Sequence, residues 1–198
     1  MQLKIPKGDF SGFIFDLDGT LVDTMPVHYL AWEAAFRKEG LKGRLDENYF
    51  YALGGVPSLK VAALLGAHHG LKVDPWKVAH EKEELYKGSG IKLALIAPVI
   101  EFARRARKTH PIAIASGGAR DVVTSTLAKT GLLELFPVIV TADDVAHGKP
   151  SPDMFLLAAR QMGVAPETCL VFEDGEPGIK AAEAAGMKWV FVPSRRSG

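Results

Sequence analysis

Five short apolar runs limit how this chain can fold. Gly12–Phe15, Ile112–Ala115, Val138–Val140, Leu170–Phe172 and Trp189–Val192 are continuous and do not alternate with polar residues. Runs of that kind fit strands buried on both faces, as in a parallel sheet covered by helices on each side. Helical patterns lie between them. Pro98–Lys108 carries Val99, Ile100, Ala103 and Ala106 on one stripe, and Arg120–Thr130 carries Val123, Leu127 and Ala128. Pro152–Met162 opens with proline in its first turn and is expected to turn Phe155, Leu156 and Ala159 inward. Glu176–Ala185 is alanine-rich and stops at Gly186, a natural C-cap. The alternation predicts an α/β fold built on a doubly wound parallel sheet with right-handed crossovers.

The stretch from Met25 to Ala97 breaks that rhythm and offers no strand. His28–Lys38, with Trp32 and Phe36 on one stripe, reads as a helix, as do Leu59–His68 and Pro75–Tyr86. Residues 25–97 are therefore read as an α-helical cap inserted into a core made of residues 1–24 and 98–198. The joints are expected near Asp23–Pro26 and Ser89–Pro98, and the tail from Pro193 is expected to fray.

Composition excludes several function classes. A net charge of +1 over 198 residues gives no field directed at nucleic acid or an anionic membrane. The single cysteine, Cys169, forms no internal disulfide and no metal cluster, and its apolar setting reads as core filler. No N-terminal apolar stretch has the length of a signal peptide and none approaches a membrane span, so a cytoplasmic location is the expectation, and a capped single core suits a monomer. The basic residues Arg104, Arg105, Arg107 and Lys108 read as the solvated face of a helix. His68, His69, His80, His110 and His147 read as structural or solvated, and adjacent His68 and His69 point to different sides of a helix.

Ligands of doubly wound sheets bind beyond the carboxyl ends of the strands. Four of the five runs end there in chemistry-bearing residues. The first delivers Asp16 and Asp18, the second Ser116-Gly117-Gly118, and the fourth Glu173-Asp174-Gly175. After the third, Asp143–Lys149 closes on Gly148-Lys149-Pro150. Carboxylates at the end of a buried strand are costly unless a cation or a reaction uses them. Phosphoryl transfer uses the whole set. A divalent cation held by Asp16, Asp174 and Glu173 offsets the repulsion between a carboxylate and a phosphate ester. Oxygen ligands without a histidine cluster favour Mg2+ over zinc. Ser116 and nearby backbone N–H groups suit the phosphoryl oxygens, and Lys149 supplies further positive charge. Asp16 is then the nucleophile that becomes an aspartyl-phosphate, and Asp18 the acid and base. Each group also has a structural reading: an Asx-turn for Asp16 and Asp18, a helix cap for Ser116, a dipole-favoured pair for Glu173 and Asp174, a loop lysine for Lys149.

The ordered motifs resemble the haloacid dehalogenase superfamily, in the subgroup of β-phosphoglucomutase and small sugar-phosphate phosphatases. The Asp-x-Asp-x-Thr pattern matches Asp16, Asp18 and Thr20. The second-motif hydroxyl matches Ser116, the third-motif lysine Lys149, and the acidic pair Glu173 and Asp174. The resemblance implies that Asp16 is the nucleophile, that Asp18 is the acid/base, and that Asp18 lends a metal its backbone carbonyl. It covers nearly the whole chain, helical cap included. Gly175 departs from it, since serine commonly follows the acidic pair.

A second departure bears on function. Mutase relatives read Asp-Gly-Val after the second aspartate and carry a cap-loop arginine for a second phosphate. Here Asp18-Gly19-Thr20 and Gly54-Gly55-Val56-Pro57-Ser58 stand instead, with Lys60 as a partial substitute for the guanidinium. His28 lies at the spacing from Asp16 where mutase-like relatives place a histidine near the leaving group; a hydrogen-bonded structural histidine is the competing reading. Thr24 and Trp32 are further candidates for the substrate space, with the core as the competing place for Trp32. The combined expectation is a Mg2+-dependent phosphatase acting on a small phosphorylated metabolite, a sugar phosphate above all. Two other readings stand beside it: a hexose-phosphate mutase, and a non-catalytic metabolite-binding module on the same scaffold.

Overall fold

The structure, a computed structural model, describes residues 3–193. The tail expected to fray lies outside the described residues from residue 194 onward. The chain begins with β1 (Gly12–Phe15), then β2 (Val22–Asp23) and four helices: α1 (Met25–Lys38), α2 (Glu47–Ala52), α3 (Ser58–His68) and α4 (Pro75–Lys87). It returns through β3 (Ala94–Leu95) and α5 (Ala97–Ala106). Strand and helix then alternate: β4 (Ile112–Ala115), α6 (Arg120–Thr130), β5 (Val138–Val140), α7 (Asp153–Met162), β6 (Cys169–Glu173), α8 (Glu176–Ala184) and β7 (Lys188–Phe191).

Five strands form one parallel sheet in the order β5-β4-β1-β6-β7. The first strand is therefore central, and the chain winds outward from it in one direction and then in the other. Side-chain alternation divides β1 between two cores. Phe13 and Phe15 join Val99, Ile100 and Ala103 of α5 and Val123 and Leu127 of α6. Ile14 faces the opposite way, toward Met154, Phe155, Ala158 and Ala159 of α7 and Ala181 and Ala182 of α8. Burial on both faces explains why the runs are continuous.

Helices α1 to α4 pack on a core of their own, built from Tyr29, Trp32, Phe36, Phe50, Val61, Leu65 and Val78. α1 starts at Met25, three residues before the expected His28, because Pro26 is tolerated in a first turn. Three expectations are corrected. A strand does lie in the inserted stretch: Ala94–Leu95 pairs antiparallel with Val22–Asp23, a ribbon of two residues a side that leaves no periodic signal. In α7, Leu156 is exposed and Met154 and Ala158 are buried, since the buried stripe runs through 154, 155, 158 and 159 and a further step of about 100° carries residue 156 past its edge. For the same reason Ala128 is exposed in α6, where Val122 and Thr126 complete the buried stripe. Among the described residues, no helix is long and apolar enough to cross a membrane.

Candidate active site

Strand ends carry the charged groups to one place. Asp16 follows β1, Ser116 follows β4, Glu173 ends β6, and Lys149 enters from the loop before α7. Lys149 is fully buried and its three ammonium protons are all used. Nζ donates to Asp16 Oδ1 at 2.7 Å, to Glu173 Oε1 at 2.5 Å and to the Ala115 carbonyl at 3.0 Å. The Phe155 ring lies 5.2 Å below it. Burial disfavours the ammonium, but the Asp16 and Glu173 carboxylates outweigh that and hold its pKa above the ordinary lysine value. The second Glu173 oxygen accepts from Gly175 N–H at 2.9 Å, so both are occupied.

Asp174 has other neighbours. It approaches the turn after Asp16, where Thr20 offers only a long 3.5 Å hydroxyl contact. Gly19 makes that approach possible: its φ is +87°, and a Cβ there would stand 2.7 Å from Asp174 Cγ. Burial, with the charges of Glu173 and Asp16, pushes the Asp174 carboxyl well above the usual range. Burial also drives Asp16 up to about 8, against the pull of Lys149.

Asp18 is held by a separate network. Its Oδ1 accepts from the Thr24 hydroxyl at 2.7 Å and meets His28 Nε2 at 3.1 Å, and Ser116 Oγ donates to Oδ2 at 3.4 Å. Thr24 occupies the N-cap position of α1 yet makes no capping bond, because its hydroxyl is committed to Asp18. Burial opposes ionisation of Asp18, but His28 and Thr24 overcome it and bring its pKa to about 2. Burial and the nearby Lys82 ammonium lower His28 itself, against the attraction of Asp18. A neutral imidazole with its proton on Nε2 satisfies both groups. It donates to the carboxylate and leaves the buried Nδ1, which has no partner, without a proton to strand.

These groups open into a cleft between the sheet and the helical layer, part of it open to solvent. Asp16, Asp18, His28, Gly117 and Gly118 line it, as sequence reasoning placed them, and Trp32 reaches it while remaining core. Thr20 is buried behind Asp174, and Ser116 lies beneath the lining with Gly118 N–H donating to its hydroxyl at 3.2 Å. Lys60 is exposed on α3 and is not among the lining residues. Ser58, from the loop where mutase relatives carry their arginine, lines the cleft; Lys82 and Glu83 also do and were not anticipated. The run His80–Glu84 is polar, the pattern of a wet helix face. The available signal was spacing: Val78, Ala79, Lys82 and Tyr86 share one buried stripe of α4.

The donor set fits a hard cation. Asp16, Glu173 and Asp174 each present an oxygen, all within 4.8 Å of one another. These three carboxylates share the single Lys149 ammonium, a deficit of positive charge that a divalent ion would fill.

Comparison with known proteins agrees with this arrangement. The sequence profile of the haloacid dehalogenase-like hydrolases matches residues 10–186. Fructose-1-phosphate phosphatase YqaB of Escherichia coli K12 is 37% identical over 183 residues, covering 92% of this chain and 96% of that protein. Hexitol phosphatase A of the same organism is 32% identical over 181 residues, covering 91% and 82%. Among solved structures, CbbY from Rhodobacter sphaeroides in complex with phosphate superimposes with a TM-score of 0.80 at 27% identity, covering 91% of this chain and 84% of that one. β-Phosphoglucomutase from Clostridium difficile shares the fold, with a TM-score of 0.78 at 24% identity over 91% of this chain and 83% of that one. The two Escherichia coli relatives are named as phosphatases, and the chain belongs to the haloacid dehalogenase-like hydrolases.

Proposed function

We propose that this hydrolase releases phosphate from a small sugar or sugar-alcohol phosphate through an aspartyl-phosphate on Asp16. One observation carries the reading: a buried lysine spends all its protons on Asp16, Glu173 and one carbonyl, while Asp174 beside them forms no ion pair among the described residues. Asp16 and Asp174 would hold Mg2+, with the Asp18 carbonyl as the resemblance suggests. Bound there, the ion would screen the negative charge that keeps a carboxylate from a phosphate ester.

The chain's own residues do the rest. Asp16 forms a bond to phosphorus as the bond to the ester oxygen breaks, and Lys149 holds the attacking carboxylate in line. Backbone N–H groups at Gly117 and Gly118 suit the equatorial phosphoryl oxygens. Asp18 gives its proton to the departing alcohol, then takes one from the water that attacks phosphorus and frees Asp16. In the free enzyme Asp18 is ionised, the state that accepts a proton. A substrate dianion beside it raises its pKa, which favours the state that donates one.

Helices α1 to α4, within residues 25–97, would act as a cap that excludes water and selects the leaving group. The names of the two Escherichia coli relatives, a fructose-1-phosphate phosphatase and a hexitol phosphatase, support a six-carbon monophosphate. A mutase must grip a second phosphate, and no arginine lines the cleft among the described residues. The test is Mg2+-dependent turnover of an aryl phosphate and of hexitol phosphates, with both phosphate release and isomerised product measured. Free phosphate from the wild type, with a loss of about 10³-fold or more in Asp16→Asn, is expected. Equal turnover in that variant overturns the reading, and isomerised sugar phosphate with little free phosphate turns it into a mutase.

A further inference from the structure

The side of the cleft away from Asp16 contains ionisable groups that the proposed reaction does not use. Lys82 is buried against the Trp32 and Tyr86 rings, with Nζ 5.1 and 5.8 Å from their centroids, and its charge is felt by both Asp18 and Glu83. Glu83, the next residue of α4, is half-buried and lines the same cleft. Ser58, at the start of α3, lines the cleft with it. The surrounding wall is apolar, formed by Met25, Trp32, Phe50, Leu53, Val61 and Val122.

From this arrangement we infer that Glu83, flanked by Ser58 and Lys82, is a specificity residue that accepts hydrogen bonds from free hydroxyls at the unphosphorylated end of the substrate and rejects a second phosphate or carboxylate there. The inference rests on the phosphatase reading above and narrows its substrate class to polyol monophosphates. A carboxylate has about four acceptor positions, more than one neighbouring hydroxyl can fill. Burial raises the Glu83 carboxyl above its ordinary value. A hexitol or ketose chain brings several hydroxyls, each able to donate. A second phosphate brings acceptors and negative charge to the same place, where Lys82 is already shared between Glu83 and Asp18.

The experiment compares wild type, Glu83→Gln and Glu83→Ala, as full chains with Mg2+, on a hexitol monophosphate and a hexose bisphosphate. Wild type is expected to favour the monophosphate by at least roughly tenfold in kcat/KM. Glu83→Gln keeps an acceptor and loses the charge, so that preference should fall below about threefold. Glu83→Ala loses the acceptors as well, and the monophosphate KM should rise roughly 10- to 100-fold with kcat little changed. A monophosphate-to-bisphosphate ratio and a monophosphate KM unchanged within about twofold in both variants would overturn the assignment. Wild-type turnover of an aryl phosphate separates the two failures. If it is present while the Glu83 variants behave as wild type, only the specificity assignment falls. If it is absent, the phosphatase reading falls and the inference with it.

Discussion

Gly178→Ala should be destabilising although it replaces glycine with the best helix former. Gly178 lies in the first turn of α8, over the side chain of Glu173. A Cβ there would stand 2.7 Å from Glu173 Cγ and closer still to Cδ and Oε1. Glu173 is 1% exposed and held by Lys149 and the Gly175 N–H, so it is not a free end that can swing aside. Helix propensity favours alanine by about 1 kcal/mol. Removing one partner from a buried ion pair costs about 3–5 kcal/mol. The loss wins, with a net destabilisation of about 2–4 kcal/mol. For a chain of this size that is a fall in Tm of about 4–16 °C, taking roughly 2–4 °C per kcal/mol. Displacing Lys149 from Asp16 should also lower kcat by roughly 10²-fold, as small misplacements of a reacting group do.

Thermal melts of the metal-free protein and steady-state kinetics read these effects. A double-mutant cycle isolates their cause. In a Glu173→Ala background the added methyl meets no carboxylate, so Gly178→Ala should become neutral or stabilising. A single variant as stable and active as wild type, or additive effects in the cycle, would refute the idea that Glu173 lies over Gly178 and positions Lys149.

Two other perturbations probe the same architecture. Gly117→Ala would place a Cβ 2.5 Å from the Gly55 carbonyl oxygen, between the β4 loop and the loop joining α2 to α3. It should lower kcat/KM by roughly 10- to 100-fold while moving Tm by less than about 3 °C, because it obstructs seating of the helical layer and leaves both cores intact; a matching loss of stability would contradict this. Mg2+ should stabilise the protein more at pH 8 than at pH 6. In the metal-free protein Asp16 is raised from 3.8 in the unfolded chain to about 8, so its contribution is complete below about pH 4 and is lost as pH rises through 8. A cation relieves that loss. At about 100-fold excess over Kd the gain is about 2.7 kcal/mol. Melts with and without Mg2+ at the two pH values test it, and an equal or smaller shift at pH 8 counts against the cluster as the binding site.

The legible parts of this fold are those where burial dictates residue type. β1 and β4 are buried on both faces, so their runs appear in the sequence with the ends the structure gives them. Asp16, Asp18, Ser116, Glu173 and Asp174 could be placed together because a parallel sheet directs every strand end to one rim. The β2–β3 ribbon stayed hidden because two residues a side are too few to show a period, and those of β3 are exposed. α2 did so because six residues give less than two helical turns, leaving only its cap, Asp46 accepting from Tyr49 N–H, as a signal. Lys82 was missed for a stronger reason. A charged residue on a buried stripe contradicts the pattern that identifies the stripe, and only the tertiary fold shows that the stripe borders a polar cleft.

The acidic pair shows why sequence alone assigns residue types before roles. Glu173 and Asp174 look interchangeable as metal ligands in the sequence. Glu173 is the last residue of β6 and Asp174 lies in the bend after it, and their carboxylates, though within 4.8 Å of each other, have different neighbours. Lys149 and the Gly175 N–H occupy both oxygens of Glu173. Gly19, by its missing side chain, lets Asp174 approach the turn that follows Asp16. In the proposed mechanism the longer acid therefore fixes the lysine and the shorter one faces the cation. Swapping the two acids, Glu173→Asp together with Asp174→Glu, would keep the charge and lose both geometries. The pair is thus ordered by side-chain length as well as by sign.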